Sequence, residues 1–433
     1  MEDDAAQCHD RDLGQALALR NKPLCCLRTE SARTENEGNM AQPDFDEIID
    51  RTGTGCNKWD DMQAVYGVSP GDGIAMWVAD MDFRPPAPVQ RAVERIAAHG
   101  VYGYPGANPA YVEAIRWWMA NRHGWEVQPE WILSAHGLVN GTAICVDAFT
   151  QPGDRVIVMT PVYHAFARVI RASGREVAEF PLAIHDGQYR MDWEGWQQLL
   201  TGRERMLILC SPHNPGGRVW TAEELRQVAD FCAAHDLILV SDEIHHDLVM
   251  PGSPRHSVLA VAVPEAVPRL VTLTAATKTF NIAGAHIGNL IVADEGLRKR
   301  LQTRLMALGI SPGLFGPGMV AAAYSPEGAA WVDALTGYLD GNRRLFDQGV
   351  NAIPGIRSMP LQATYLAWVD FSGTGMERAE FTRRVEQGAR IAANHGGTFG
   401  TGGEDFLRFN IATPRARVAE AVARLQEAFR DLQ

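Results

Sequence analysis

The sequence predicts an α/β fold: a large domain built on a mainly parallel sheet, joined to a smaller α+β domain. Two observations carry this. From about residue 130, short apolar runs alternate with amphipathic stretches, and the runs are apolar throughout rather than at every second position. Such runs read as strands buried on both faces, and their alternation with helices means a parallel sheet covered on both sides. After about residue 326 the pattern changes to one long helical stretch followed by short strands and helices.

The expected strands are 131–134, 155–159, 206–210, 237–241, 270–274 and 289–293. Between the third and fourth, Thr221 to His235 carries helical spacing and opens with Thr-Ala-Glu-Glu, a helix-start signature. Trp331 to Val350 reads as a long helix. The expected organisation is a poorly ordered N-terminal extension over 1–43, in which Met40 is a candidate natural start. A segment of the small domain over 44–85, the large domain over 86–325 and the rest of the small domain over 326–433 follow.

A chain of 433 residues with a formal net charge of -12 and no long basic run does not suit nucleic acid. No stretch approaches the ~18 consecutive apolar residues of a membrane span. The seven cysteines are scattered, form no C-x-x-C pair and in part lie inside apolar runs. They read as reduced thiols of a cytoplasmic protein, not as a disulfide framework or zinc site.

In an open α/β sheet ligands collect at the carboxyl ends of the strands, so the residues just past each expected strand matter most. Lys278 follows the run 270–274 in small and apolar company. A desolvated lysine loses its charge and becomes a nucleophilic amine, although a lysine at a strand end also snorkels to water. His136-Gly137-Leu138-Val139 opens an apolar helix whose free N–H groups suit a phosphate, and is equally an ordinary glycine turn. Tyr163 at a strand mouth can stack on a planar ligand or simply pack. Asn214, between Ser211-Pro212-His213 and Pro215-Gly216-Gly217, presents an amide from a tight turn. Asp242 ends a buried run, where a carboxylate needs a cationic partner or serves as a helix cap. His245, His246 and Asp247 also admit a metal site. Adjacent histidines on a helix diverge by about 100°, so no metal is expected there.

Taken together, a stacking aromatic, an amide, a buried carboxylate, a phosphate cradle and a desolvated lysine match the needs of pyridoxal 5'-phosphate. The order Tyr163, Asn214, Asp242, Lys278 resembles the aspartate-aminotransferase superfamily of class I and II aminotransferases, of pyridoxal-phosphate fold type I. The resemblance implies a seven-stranded, mainly parallel sheet in the large domain. It makes Lys278 the cofactor-bound lysine, pairs Asp242 with the pyridine nitrogen, and sets Asn214 on the ring hydroxyl and Tyr163 on the ring face. Phe406-Leu407-Arg408-Phe409-Asn410 matches the family segment whose arginine binds the substrate α-carboxylate.

Further strings narrow the branch. Met76-Trp77-Val78-Ala79-Asp80-Met81-Asp82-Phe83, Tyr102-Gly103-Tyr104-Pro105, Ser241 to His245 and Ala363 to Trp368 resemble the MalY/PatB-type cystathionine β-lyases, from about residue 44 to the end. This implies a homodimer in which Tyr104 reaches the phosphate of the neighbouring subunit's cofactor, and a substrate carboxylate held partly by the Ala79 backbone. Ala275 and His286 replace the serine and arginine that many superfamily members place on the phosphate. The phosphate then rests on Thr277, Leu138, Val139 and Tyr104. His245 stands where many relatives have a tyrosine beside the ring hydroxyl.

The expected activity is carbon–sulfur β-elimination on cystathionine or a related cysteine S-conjugate, giving pyruvate, ammonia and a thiol. The same residues would also serve an aminotransferase, and the strings around Trp77 and His245 favour the lyase. A third alternative is a lyase-like protein that binds a regulatory partner, although no surface in the chain marks it.

Overall fold

The six apolar runs become six strands of one seven-stranded sheet in the computed structural model, which describes residues 43–432. In chain order the strands are β1 (Ile132–Ala135), β2 (Arg155–Val158), β3 (Glu176–Glu179), β4 (Glu204–Cys210), β5 (Ile238–Asp242), β6 (Leu270–Thr274) and β7 (Gly288–Ile291). Across the sheet they run β1-β7-β6-β5-β4-β2-β3. Only β7 is reversed: it pairs antiparallel with β1 and β6, while the other neighbours pair parallel. Strand β6 is buried at every position, and in β5 only the first residue is partly open. That is the burial a sheet covered on both faces demands.

Strand β3 has no counterpart among the expected elements. Its sequence, Glu-Val-Ala-Glu, lies at a sheet edge with Glu176 exposed and bonded to Arg203. Charge on an edge strand discourages pairing with other chains and also hides the strand from a search for apolar runs. The helix expected over 221–235 spans Ala222–Ala234, with Thr221 and Glu224 forming a reciprocal capping box. The long helix spans Pro326–Asn351 and starts five residues earlier than expected, where Ser325 caps its first turn. All but one residue of the expected N-terminal extension falls outside the described residues.

A second, four-stranded antiparallel sheet holds β8 (Arg357–Ser358), β9 (Leu366–Asp370), β10 (Asn394–His395) and β11 (Phe406–Asn410), in the order β8-β9-β11-β10. The segment following residue 43 joins this side of the molecule. Ile74 and Ala75 pair in parallel with Ile391 and Ala392, and the Met76 carbonyl accepts from the Asn410 N–H.

An ion cluster pins the segment that follows. Asp82 is 1% exposed and accepts from Lys58 Nζ (2.9 Å), Arg51 (2.8 Å) and Trp59 Nε1 (3.0 Å). Burial alone would raise the Asp82 carboxyl, but these donors hold it below the usual carboxylate range. Lys58 has no exposed side-chain surface, so Asp82→Ala leaves a buried ammonium ion with only the Asp80 carbonyl (3.1 Å) and a carboxylate oxygen 3.9 Å away. The substitution is expected to cost about 3–5 kcal/mol in denaturant unfolding, and an unchanged midpoint would contradict this account of the segment.

Candidate active site

Five of the co-directed strands, β1, β2, β4, β5 and β6, deliver their carboxyl ends to one side of the sheet. A cavity of about 560 Å³ opens there. Its walls include Ala79, Leu138, Val139, Tyr163, Asn214, Asp242, His245, Thr277 and Lys278. Nine of the eleven site residues expected from sequence therefore share one space.

Each arrives by a local device. Strand β1 ends at Ala135, and Gly137 takes φ 81°, a left-handed conformation that glycine adopts without strain, to open the helix Leu138–Phe149. The first N–H groups of that helix have no intrahelical acceptor. The loops after β2 and β4 are stitched together, since the Tyr163 N–H donates to the Asn214 carbonyl (3.1 Å). The Asn214 N–H in turn donates to Cys210 Sγ at the end of β4 (3.4 Å). Lys278 sits on the single turn Ala276–Thr279 just past β6, and its Nζ donates to the Ala79 carbonyl. Asn281 clamps the 79–83 segment over this turn. Its side chain accepts from Met81 N (2.9 Å) and donates to Met81 O (2.9 Å) and Phe83 O (2.7 Å).

The electrostatics of the cavity suit a charged ligand. Desolvation lowers the Lys278 amine to about 8, with Arg408 adding repulsion and Asp80 and Asp242 opposing. Asp242, 5% exposed, is raised to about 7 by burial, and its Oδ1 accepts the Ile244 N–H (3.1 Å). Among the described residues no cation lies within ion-pair range of Asp242. Burial, reinforced by Lys278 and Arg408, pushes His245 down to about 3, so the ring is neutral at pH 7. Its Nδ1 has no protein partner.

Arg408 comes from the other sheet and does not line the cavity directly. It lies on β11 opposite Trp368 and Asn394, is 2% exposed, and donates to Asn214 Oδ1 (3.0 Å) and the Trp77 carbonyl (2.8 Å). Its guanidinium packs 5.0 Å from the Phe399 ring centroid. Tyr104 stands apart: its side chain is fully exposed and touches none of the cavity walls in the single chain.

Sequence reasoning missed several neighbours. Asn410 donates to the Val78 carbonyl (2.7 Å) and the Asp80 carbonyl (2.5 Å), and Tyr365 Oη donates to the Ala79 carbonyl (3.0 Å). The two-residue period of a strand puts Asn410 on the same face as Arg408, a signal already present in the quoted string. His136 and Arg168 also line the cavity, as does His286. His136 belongs to the helix-start string already noted, while nothing in the local sequence marks Arg168.

The buried, uncompensated Asp242, the orphaned His245 nitrogen, the open helix start and the low-pKa lysine fit pyridoxal 5'-phosphate. It offers a protonated ring nitrogen, a ring oxygen, a phosphate and an aldehyde.

Comparison with known proteins agrees. Residues 78–425 match the model of the class I and II aminotransferases. The chain is 36% identical to the cystathionine beta-lyase PatB of Bacillus subtilis over 388 residues, covering 89% of this chain and 99% of that one. Among solved structures, cystalysin from Treponema denticola, which contains a pyridoxal 5'-phosphate cofactor, superposes with a TM-score of 0.85 at 34% identity. The match covers 90% of this chain and 100% of cystalysin. The pyridoxal-phosphate-bound C-S lyase from Staphylococcus hominis gives 0.83 at 30% identity, over 90% and 100% of the two chains. The chain therefore belongs to the class I and II aminotransferase family, in its branch of MalY/PatB-type cystathionine β-lyases.

Proposed function

We propose that the chain is a pyridoxal 5'-phosphate-dependent carbon–sulfur β-lyase. It acts on cystathionine or a related cysteine S-conjugate and yields pyruvate, ammonia and a thiol. One observation carries the reading: Asp242, buried without a cation, shares a strand-end cavity with a lysine whose pKa is lowered to about 8, in a member of this lyase branch.

Bound in the cavity, the cofactor withdraws electrons from the substrate α-carbon. The protein's own groups do the rest. Asp242 carries the negative charge that keeps the ring nitrogen protonated. The Asn214 amide oxygen is taken by Arg408, which leaves its Nδ2 to donate to the ring oxygen. Tyr163 covers the ring face. Leu138 and Val139 N–H groups and Thr277 hold the phosphate. Neutral His245 lies where a ring-hydroxyl partner is needed. Lys278 Nζ, once free, removes the α-proton, and the β-sulfur leaves with the bonding electron pair. Arg408 binds the α-carboxylate, with the backbone at Ala79 beside it.

The protein works as a homodimer in the cytoplasm. Tyr104 of the partner subunit reaches the phosphate, which gives a purpose to a tyrosine left fully exposed on the single chain. Cys56, Cys145, Cys210 and Cys232 are free thiols, in keeping with a reducing compartment. Among the described residues no helix is long and apolar enough to cross a membrane.

The discriminating experiment supplies cystathionine to cofactor-loaded protein and follows pyruvate with no keto acid present. Sustained pyruvate release is expected; turnover only with an added keto acid would make the chain an aminotransferase. Arg408→Ala removes two charge-assisted hydrogen bonds to the carboxylate. It is expected to lower kcat/KM by about 3 kcal/mol, roughly 100-fold, mostly through KM. A fall confined to kcat would place the carboxylate elsewhere. The Lys278 amine attacks only when neutral. Cofactor uptake by cofactor-free protein is therefore expected to accelerate as pH rises through about 8 and to level off above it. A rate that falls over that range would contradict the desolvated amine.

A further inference from the structure

A second polar cluster lies on the far side of the segment that carries Asp242. His123 ends the helix Pro109–His123, while His246 and Asp247 follow Asp242 by four and five residues. The fold brings them together. His123 Nε2 is 2.9 Å from Asp247 Oδ1, and His246 Nε2 is 3.2 Å from Asp247 Oδ2. The two imidazoles stack with centroids 4.1 Å apart, and one donor atom from each of the three residues lies within 4.8 Å of the others.

A lone histidine–aspartate hydrogen bond accounts for His123 but not for His246. The His246 ring is 2% exposed; its Nε2 faces only Asp247 Oδ2, at 3.2 Å, and its Nδ1 has no hydrogen-bond partner. A buried imidazole with one nitrogen unpartnered and the other sharing a carboxylate with a second histidine gives up more hydration than it recovers unless another partner is intended. The carboxylate between the rings is held from behind: Trp118 Nε1 donates to Oδ1 (3.0 Å) and Thr279 Oγ1 to Oδ2 (2.8 Å). Fixing a ligand oxygen through outer hydrogen bonds is how protein metal sites orient their donors. The cluster opens on a cavity of about 440 Å³, separate from the active-site cavity and lined by His123, His246, Asp247 and His256. His256 lies 6.4 Å and 6.3 Å from the two stacked rings and has a further unpaired nitrogen.

We propose that His123, His246 and Asp247 bind a divalent transition-metal ion of the zinc class, with a water from this cavity completing the shell. Two imidazoles and one carboxylate suit zinc and its first-row neighbours rather than magnesium or calcium. In a tetrahedral shell with bonds of about 2.0–2.1 Å, neighbouring ligand atoms stand about 3.3 Å apart. The two nitrogen–oxygen separations, one to each oxygen of Asp247, are near that spacing, and the three ligand atoms all lie within 4.8 Å, so closing on an ion takes a small movement of the rings. Adjacent side chains diverge, which argued against a metal at His245 and His246. The structure supplies the missing partner from a helix more than a hundred residues earlier and leaves His245 in the other cavity. The ion ties the end of that helix to the loop behind the active site, and its role is structural.

The test uses cofactor-loaded protein freed of metal by chelation and titrated with zinc chloride and, separately, cobalt chloride. The expected result is one tightly held ion per chain, a visible cobalt absorption band of imidazole–carboxylate coordination, and a higher thermal midpoint with zinc. His246→Ala and His123→Gln are each expected to weaken binding by roughly 100-fold or more and to abolish the zinc-dependent shift. Neither residue lines the proposed active-site cavity, so metal-free His246→Ala should keep the cofactor absorbance and lyase turnover, which establishes that it folds. Failure of the parent protein to retain zinc, or equal binding by parent and both variants, would overturn the proposal.

Discussion

Lys278→Ala is expected to reduce turnover by about four orders of magnitude or more, because one side chain both attaches the cofactor and moves the α-proton. General-base removal alone is worth roughly 10²–10⁴ in rate, and loss of the covalent anchor adds to it. The geometry explains why no neighbour can substitute. Of the chain's four lysines, Lys58 is buried against Asp82, Lys299 pairs with Glu295 on the exposed face of its helix, and Lys22 lies outside the described residues. Lys278→Arg keeps a cation but has no amine that deprotonates near neutral pH, and is expected to be equally inactive. Activity above about a hundredth of the parent in a correctly folded Lys278→Ala protein would remove the lysine from the mechanism.

Asp242→Asn has the second largest expected effect, a loss of roughly 10²–10³ in kcat. It keeps the side chain's size and its acceptor for the Ile244 N–H, and deletes the negative charge that stabilises a protonated ring nitrogen. Without a cation, burial holds this carboxyl at about 7. Pairing with the ring should bring it down again and stabilise the complex. The phosphate contacts are untouched, so cofactor should still bind, more weakly, and the cofactor absorbance should shift toward an unprotonated ring. A variant with parental kcat and altered stability alone would make Asp242 a turn-stabilising residue and no more. Measuring kcat and cofactor affinity on the same preparation separates the outcomes.

The sheet was legible in the sequence wherever burial was complete. Each of the six apolar runs matches a strand to within about two residues, because strands covered on both faces have no polar side to blur the pattern. Strand β3 was not legible, since its glutamates serve an edge. The chemistry just past β5 and β6 was visible because a lysine or carboxylate in apolar company needs an explanation. The contacts that join the two sheets were not. The Asn214–Arg408 bond spans 194 residues and the Asn281 clamp on Met81 spans 200, distances over which no local pattern carries information. The same holds for His123 beside Asp247, where sequence spacing alone argued against a metal.

The central claim, that Lys278 carries the cofactor at the mouth of this sheet, is tested most directly by hydride reduction of cofactor-loaded protein followed by peptide mass mapping. The account predicts one cofactor per chain, fixed on the peptide containing Lys278, and none on that peptide after prior incubation with a competing amine. Cofactor fixed on Lys58, Lys299 or Lys22 instead, or no fixed cofactor at all, would contradict it.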